Sequence, residues 1–213
     1  MVTLDYAWVD SWIQALAWAI STFRKDCDGF HFEPTEQFYE ALGSDSETCL
    51  QEAASEIALH LRLPVVPTVD FDWAIKMEPQ HAGQVRLDHP KAPIRIPFRY
   101  AGRAYALGAI LAHELCHVFM NVRRIRASSM AENEPLTDLM TVFSGLGKLS
   151  LNGTFPYGNG DLAIRLKLGY TPHDLLLYAF EQVNKLKKIP EERARLHLIP
   201  GIQTMSTRMR GRT

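Results

Sequence analysis

The stretch Ala112-His113-Glu114-Leu115-Cys116-His117 contains an HExxH motif inside an apolar, helix-forming run from about Arg103 to Val122. Residues i and i+4 share one face of a helix, so His113 and His117 can present two imidazoles to one cation. Glu114 is offset from His113 by about 100° on a helix, so its carboxylate can reach a water on that cation without binding the cation itself. The stretch therefore predicts a helix with two zinc ligands and an adjacent general base.

The overall composition is that of an ordinary globular protein. The chain has 213 residues, of which 46% are hydrophobic and 22% charged, and its net charge is −1. This charge gives no reason to expect nucleic acid or an anionic membrane as a partner. The sequence contains no run of 18 uncharged apolar residues, so a membrane span is not expected. The apolar N-terminus carries Asp5 and Asp10 with no basic segment before them, so a signal peptide is not expected.

Cysteine usage indicates the compartment. Cys27, Cys49 and Cys116 are an odd number of cysteines without a CxxC spacing, so they do not form a disulfide framework. Reduced thiols are typical of the cytoplasm, where we expect this protein. Cys116 lies about 60° from His113 on the helix, an awkward position for a shared ion, and is expected to be a buried apolar side chain.

Periodicity and capping residues predict an α+β fold that is mainly helical. Helices are expected at 4–24, 34–42, 47–61, 103–122, 134–143, 171–187 and 190–198, and a loop at 149–160. The β-rich segments at 65–71, 84–87 and 93–98 predict a small sheet of three or four strands next to the HExxH helix, with a turn at Ala82-Gly83. Residues 1–62 are expected to pack as N-terminal helices on a catalytic part at 63–200, followed by a flexible basic tail at 201–213.

Prolines enclose the segment Ile94-Arg95-Ile96, and prolines in a strand indicate the edge of a sheet. An extended peptide can bind by adding a strand to such an edge. Ile94, Arg95 and Ile96 are therefore candidate substrate-binding residues. An ordinary edge protected by prolines is the alternative.

A catalytic zinc ion has three protein ligands and one water. Glu134, which follows His117 by 17 residues on a predicted helix, is the best candidate for the third ligand. Asp138 lies on the same face of that helix and can accept a hydrogen bond from the distal N–H of a ligand histidine. Two alternatives stay open: Glu132 in place of Glu134, and Asp138 as a ligand.

The two motifs together, HExxH at 113–117 and ExxxD at 134–138, resemble those of the gluzincins, the thermolysin-like branch of the zincin metallopeptidases. The short layout is similar to that of the small ImmA/IrrE-type bacterial metallopeptidases over about Pro64 to Gly147. The resemblance implies one zinc ion, a zincin-like fold and a peptide or protein as substrate. Thermolysin-like enzymes take a further transition-state donor from a downstream His or Tyr, and the candidates of that type are Tyr157, Tyr170 and His173.

The function predicted from the sequence is hydrolysis of peptide bonds by a zinc-activated water, with Glu114 as general base. The alternative is a zinc-binding regulatory or interaction protein that has a zincin fold and little or no proteolytic activity. The sequence indicates neither the substrate nor an oligomeric state.

Overall fold

The computed structural model describes residues 3–23, 31–72, 82–155 and 168–210. Its helices are α1 (Tyr6–Phe23), α2 (Glu36–Leu42), α3 (Glu47–His60), α4 (Ala104–Arg123), α5 (Met130–Phe143), α6 (Gly147–Thr154), α7 (His173–Leu186), α8 (Glu191–Arg195) and α9 (Pro200–Arg210). Its strands are β1 (Val69–Asp72), β2 (Gln84–Val85) and β3 (Ile94–Pro97). The predicted fold class, mainly helical α+β with a small mixed sheet, is confirmed.

Helix α4, which carries the HExxH motif, lies at the centre of the fold. Nearly every side chain from Ala106 to Met120 is buried, against α2, α3, α5, α6 and β2. In the part of the chain that the structure describes, α4 is also the one helix long and apolar enough to cross a membrane. The fold itself buries 72% of that apolar window.

The N-terminal helices belong to the same hydrophobic core as α4. Helix α1 buries Val9, Ile13 and Leu16 and packs on α5 and α7. Helices α2 and α3 pack on each other and on α4, and α3 also packs on β1. Together these contacts pack the N-terminal helices against α4, α5 and α7.

The sheet corrects one prediction. The strand order is β1-β3-β2, with β1 parallel and β2 antiparallel to β3. Ile94, Arg95 and Ile96 therefore lie in the central strand of the described sheet, and their assignment to a substrate-binding edge is wrong. Pro93 and Pro97 stand at the two ends of the strand and leave the N–H groups between them free to pair. Ile94 and Ile96 are fully buried, as a central strand requires.

Helix α5 begins earlier than the sequence analysis placed it. Ser129 is the N-cap, and its hydroxyl accepts the backbone N–H of Glu132 at 3.3 Å. Pro135 therefore lies inside the helix, where its missing N–H removes one backbone hydrogen bond. The sequence Ser129-Met130-Ala131-Glu132 has the S-x-x-E form of a capping box, and this signal predicts the observed start.

Two segments that were expected to be irregular form helices. Residues 147–154 form α6, although a loop was expected from residue 149. Asn152 and Gly153 make tertiary contacts within this helix. The buried side chain of Asn152 donates to the His197 carbonyl at 2.8 Å and accepts from the Ile199 amide at 3.1 Å. The expected flexible tail forms helix α9 as far as Arg210, and Ser206 on that helix donates to Glu181 at 2.6 Å.

Gly153 allows α6 to approach α4 closely. A Cβ at this position would lie 2.3 Å from the Ala109 Cβ and 2.5 Å from the Tyr105 carbonyl oxygen. Both are on α4, and the Tyr105 atom belongs to the backbone and cannot rotate away. The distance between the two helices thus depends on the absence of a side chain here.

Replacing Gly153 with alanine should lower the free energy of unfolding by about 1–3 kcal/mol, because the added methyl overpacks the contact between α4 and α6. Alanine favours an isolated helix over glycine by up to about 1 kcal/mol, so a loss reports on packing and not on propensity. Urea denaturation measures the change. Gly43→Ala is the control, since its Cβ would meet its nearest atom at 3.4 Å. A Gly153→Ala protein as stable as wild type would contradict the close approach.

Candidate metal centre

Three side-chain atoms of α4 and α5 converge on one point. His113 Nε2 lies 3.1 Å from His117 Nε2 and 3.1 Å from Glu134 Oε2, and His117 Nε2 lies 3.3 Å from the same oxygen. Zinc holds nitrogen and oxygen ligands at about 2.0–2.2 Å in a tetrahedron, whose edges are then about 3.3–3.6 Å. The three atoms are close to the size of one tetrahedral face. Among the described residues, this is the group with the composition and spacing to hold a metal ion.

Hydrogen bonds on the far side of each imidazole direct its Nε2 lone pair toward that point. As predicted, His113 Nδ1 donates to Asp138 Oδ1, at 2.9 Å. His117 Nδ1 lies 3.3 Å from Thr137 Oγ1, whose own proton goes to the Asn133 carbonyl at 2.8 Å. In their neutral form both histidines therefore carry their proton on Nδ1, which leaves Nε2 free to bind a cation.

The two alternative ligands are in the wrong places. Glu132 Oε2 accepts the hydroxyls of Ser128 and Ser129 at 2.7 and 3.2 Å, at the start of α5. Asp138 contacts Nδ1 of His113, on the side of the ring away from the converging atoms. Glu134 is the carboxylate among the described residues that meets both Nε2 atoms. Its role as the third ligand stays a prediction.

Glu114 lies beside the converging atoms and is held by strand β2. The backbone N–H of Val85 donates to its carboxylate. Gly83 permits this approach, since a Cβ there would lie 2.8 Å from Glu114 Oε1 and 2.7 Å from Ile110 Cγ2. The absence of a side chain at Gly83 thus lets the start of β2 approach α4. The turn expected at Ala82-Gly83 borders residues outside the described ranges and stays a prediction.

A cavity of about 390 Å³ opens over His113, Glu114, His117 and Glu134. Polar side chains of α5, Asn133 and Asp138, also line it. Most of the other lining residues are apolar or small, and they come from β2 and its flanks, α4, α6, the segment before α7, and α7: Ala82, Gly83, Gln84, Val85, Leu87, Ala109, Ile110, Ser150, Thr154, Leu168, Gly169, Tyr170 and Leu176. The described lining contains no lysine or arginine. The cavity has room for part of an extended peptide.

The three candidate donors have different outcomes. Tyr170 lines the cavity, and its ring stacks on His113 with centroids 5.9 Å apart. His173 does not line the cavity; its ring packs on Phe155 with centroids 5.6 Å apart. Tyr157 lies outside the described residues. Tyr170 is therefore the candidate that the geometry supports.

The residues that support the centre on the Nδ1 side of its histidines belong to no sequence motif, apart from Asp138. Thr137 orients His117 through its hydroxyl oxygen. Its place directly before Asp138 does not by itself predict this role. The sequence predicts a helix from Thr171, but α7 begins two residues later, at His173, after the turn Gly169–Thr171. In the structure the backbone amides of Tyr170 and Thr171 donate to Asp138 Oδ2 at 2.6 and 2.7 Å.

Cys116 is fully buried, as predicted, with Sγ 3.6 Å from Ser144 Oγ.

The charges of the site are strongly coupled in the metal-free chain. Burial lowers the pKa of His113, but hydrogen bonds to Asp138 and Glu134 outweigh burial and raise it to about 10. Burial raises the pKa of Glu134, but its hydrogen bonds to His113 and His117 hold that pKa well below its ordinary value. Burial raises the pKa of Glu114. The positive charge of protonated His113 thus offsets the negative charge of the carboxylates around it in the metal-free chain.

Comparison with protein families, curated proteins and solved structures found no match to this chain. The gluzincin resemblance therefore depends on the two motifs and on the arrangement of the side chains described above.

In the metal-free protein, protonated His113 should stabilise the fold. Its folded pKa of about 10 lies above its ordinary value of 6.5, so this contribution is complete below pH 6.5 and is lost as the pH rises toward 10. Urea denaturation in chelator, at pH 6.5 and 9.5, should show a fall in unfolding free energy for wild type that is reduced in His113→Gln. Equal pH dependence of the two proteins would contradict the ion pairing.

Proposed function

We propose that this protein is a zinc-dependent metallopeptidase of the gluzincin type, which hydrolyses peptide bonds in the cytoplasm. One observation carries the proposal: two histidine nitrogens and a carboxylate oxygen lie 3.1–3.3 Å apart, with a second carboxylate beside them, at the floor of a cavity. Two histidines and a glutamate are a ligand set of catalytic zinc, which keeps a fourth position for water. A purely structural zinc site is closed by four protein ligands.

Bound zinc would lower the pKa of a water to about 7 and polarise the carbonyl of the scissile bond. Glu114 would take the proton from the attacking water and give it to the leaving amide nitrogen. In the metal-free chain, burial raises the pKa of Glu114 above that of an ordinary carboxyl, in the direction that suits a group that accepts and returns a proton. The Val85 amide fixes the orientation of the carboxylate.

Tyr170 is the proposed donor to the developing oxyanion. Its hydroxyl stays protonated at neutral pH, since burial and the carboxylates of Glu134 and Glu114 raise its pKa to about 12. Its ring already stands over His113. The phenol can therefore donate a hydrogen bond where negative charge accumulates.

The proposed substrate is an extended peptide or protein segment. Strands β1 and β2, and not β3, lie at the outer positions of the described sheet, and β2 also lines the cavity. An extended chain could pair with such an edge. The cytoplasmic location is consistent with Cys49 and Cys116, which are both free thiols.

Glu114→Gln should keep zinc and lose cleavage by a factor of about 10² or more, because the amide cannot accept the water proton. Zinc content by mass spectrometry and cleavage of a broad peptide library measure the two effects separately. If zinc-loaded wild type cleaves no peptide in the library, the proposal of a peptidase fails and the regulatory alternative gains support. A variant that cleaves like wild type would remove Glu114 from the mechanism.

Glu134→Gln should reduce zinc affinity strongly, because a neutral amide replaces the only carboxylate that meets both Nε2 atoms in the described chain. Glu132→Gln is the matched control, a nearby glutamate on the same helix that contacts only serine hydroxyls among the bonds described. It should bind zinc like wild type. Competition with a chromophoric chelator gives both dissociation constants. Loss of affinity in Glu132→Gln, with retention in Glu134→Gln, would reverse the assignment.

A further inference from the structure

The turn Gly169–Thr171, directly before α7, touches the candidate centre by two routes. One route is the backbone, through the amides that donate to Asp138 Oδ2. The other is the Tyr170 ring, which stacks on His113 at an interplanar angle of 28°. None of these three residues is a candidate ligand. The Tyr170 ring nevertheless contacts the face of His113, and the two amides hold Asp138, which accepts the His113 Nδ1–H.

Asp138 is held from both of its oxygens. Oδ2 accepts two backbone N–H groups at 2.6 and 2.7 Å, and Oδ1 accepts His113 Nδ1–H at 2.9 Å. Short bonds to an ionised carboxylate are among the stronger hydrogen bonds in proteins. With both oxygens engaged and the side chain buried, the carboxyl plane has no freedom to rotate, so the direction of the His113 ring follows from the position of the turn.

Gly169 gives the turn its shape. Its φ of +84° lies in a region that side chains rarely adopt. A Cβ would also lie 3.3 Å from Asp138 Oδ2, the oxygen that the two amides bind. Thr171 Oγ1 donates to the Pro135 carbonyl at 3.4 Å, which attaches the same turn to α5 a second time.

We propose that the Gly169–Thr171 turn is a positioning element of the metal centre. It holds Asp138, and through Asp138 and Tyr170 it holds His113, so that zinc affinity depends on a backbone conformation outside the two motifs. This inference rests on the proposed function for the identity of the metal.

Gly169→Ala tests the proposal. Zinc affinity should fall about 10- to 100-fold, the usual effect of changing a residue that orients a ligand histidine. Chelator competition measures the dissociation constant. The visible spectrum of the Co²⁺-substituted protein should change as well, because the His113 ligand is displaced. If the alanine variant does not fold, Gly169→Asn replaces it, since asparagine tolerates positive φ better than alanine.

Gly102→Ala is the matched control. Gly102 has a φ of +70°, and a Cβ there would lie 2.9 Å from Asp45 Oδ1, but neither residue lines the cavity. This variant should lose stability in urea denaturation and bind zinc like wild type. An equal loss of zinc affinity in the Gly102 and Gly169 variants would reduce the effect to general destabilisation and overturn the proposal.

Coupling is reciprocal, so zinc should also protect the turn. Hydrogen exchange of the Tyr170 and Thr171 amides should slow when zinc is added to wild type, with no such change around Gly102. Unchanged zinc affinity in Gly169→Ala would overturn the positioning role and leave the peptidase proposal intact. A wild-type protein that takes up no zinc would overturn both.

Discussion

The Nε2 lone pairs of His113 and His117 face each other at 3.1 Å, and they repel unless a cation or a proton lies between them. The repulsion between these lone pairs destabilises the fold at its central helix, α4. Hydrogen bonds from the Nδ1–H of each ring to Asp138 and Thr137 fix its opposite side, so neither histidine can turn its lone pair away. Glu134 supplies the negative charge that a cation at this point would require. These side chains define a place for a positive charge, and the rest of the fold holds them there.

Close backbone approach is what brings the other parts of the molecule to α4. Gly153 lets α6 pack on the helix, Gly83 lets β2 reach Glu114, and Gly169 lets the turn before α7 reach Asp138. At each position the contact depends on the absence of a side chain. The motif residues lie on α4 and α5. The segments that orient and enclose them, namely β2, α6 and the turn before α7, come from other parts of the chain.

Much of the centre could be predicted because it is local. The i, i+4 spacing places His113 and His117 together on any helix, and Glu134 and Asp138 likewise. The position of β3 could not be predicted from its prolines, because which strands pair is decided by contacts far apart in sequence. The loop expected at 149–160 is wrong over residues 149–154 for a similar reason. Gly153 packs against α4 and Asn152 bonds to the segment before α9, and both contacts join residues far apart in sequence. The backbone donors from Tyr170, Thr171 and Val85 have no sequence signature at all.

X-ray absorption of the zinc-loaded protein at the zinc edge tests the central claim most directly. The account predicts one zinc per chain, bound only by nitrogen and oxygen at about 2.0–2.2 Å, with the scattering pattern of two imidazoles. A sulfur neighbour at about 2.3 Å, which would implicate a cysteine such as Cys116, would contradict it. So would a spectrum with no imidazole scattering.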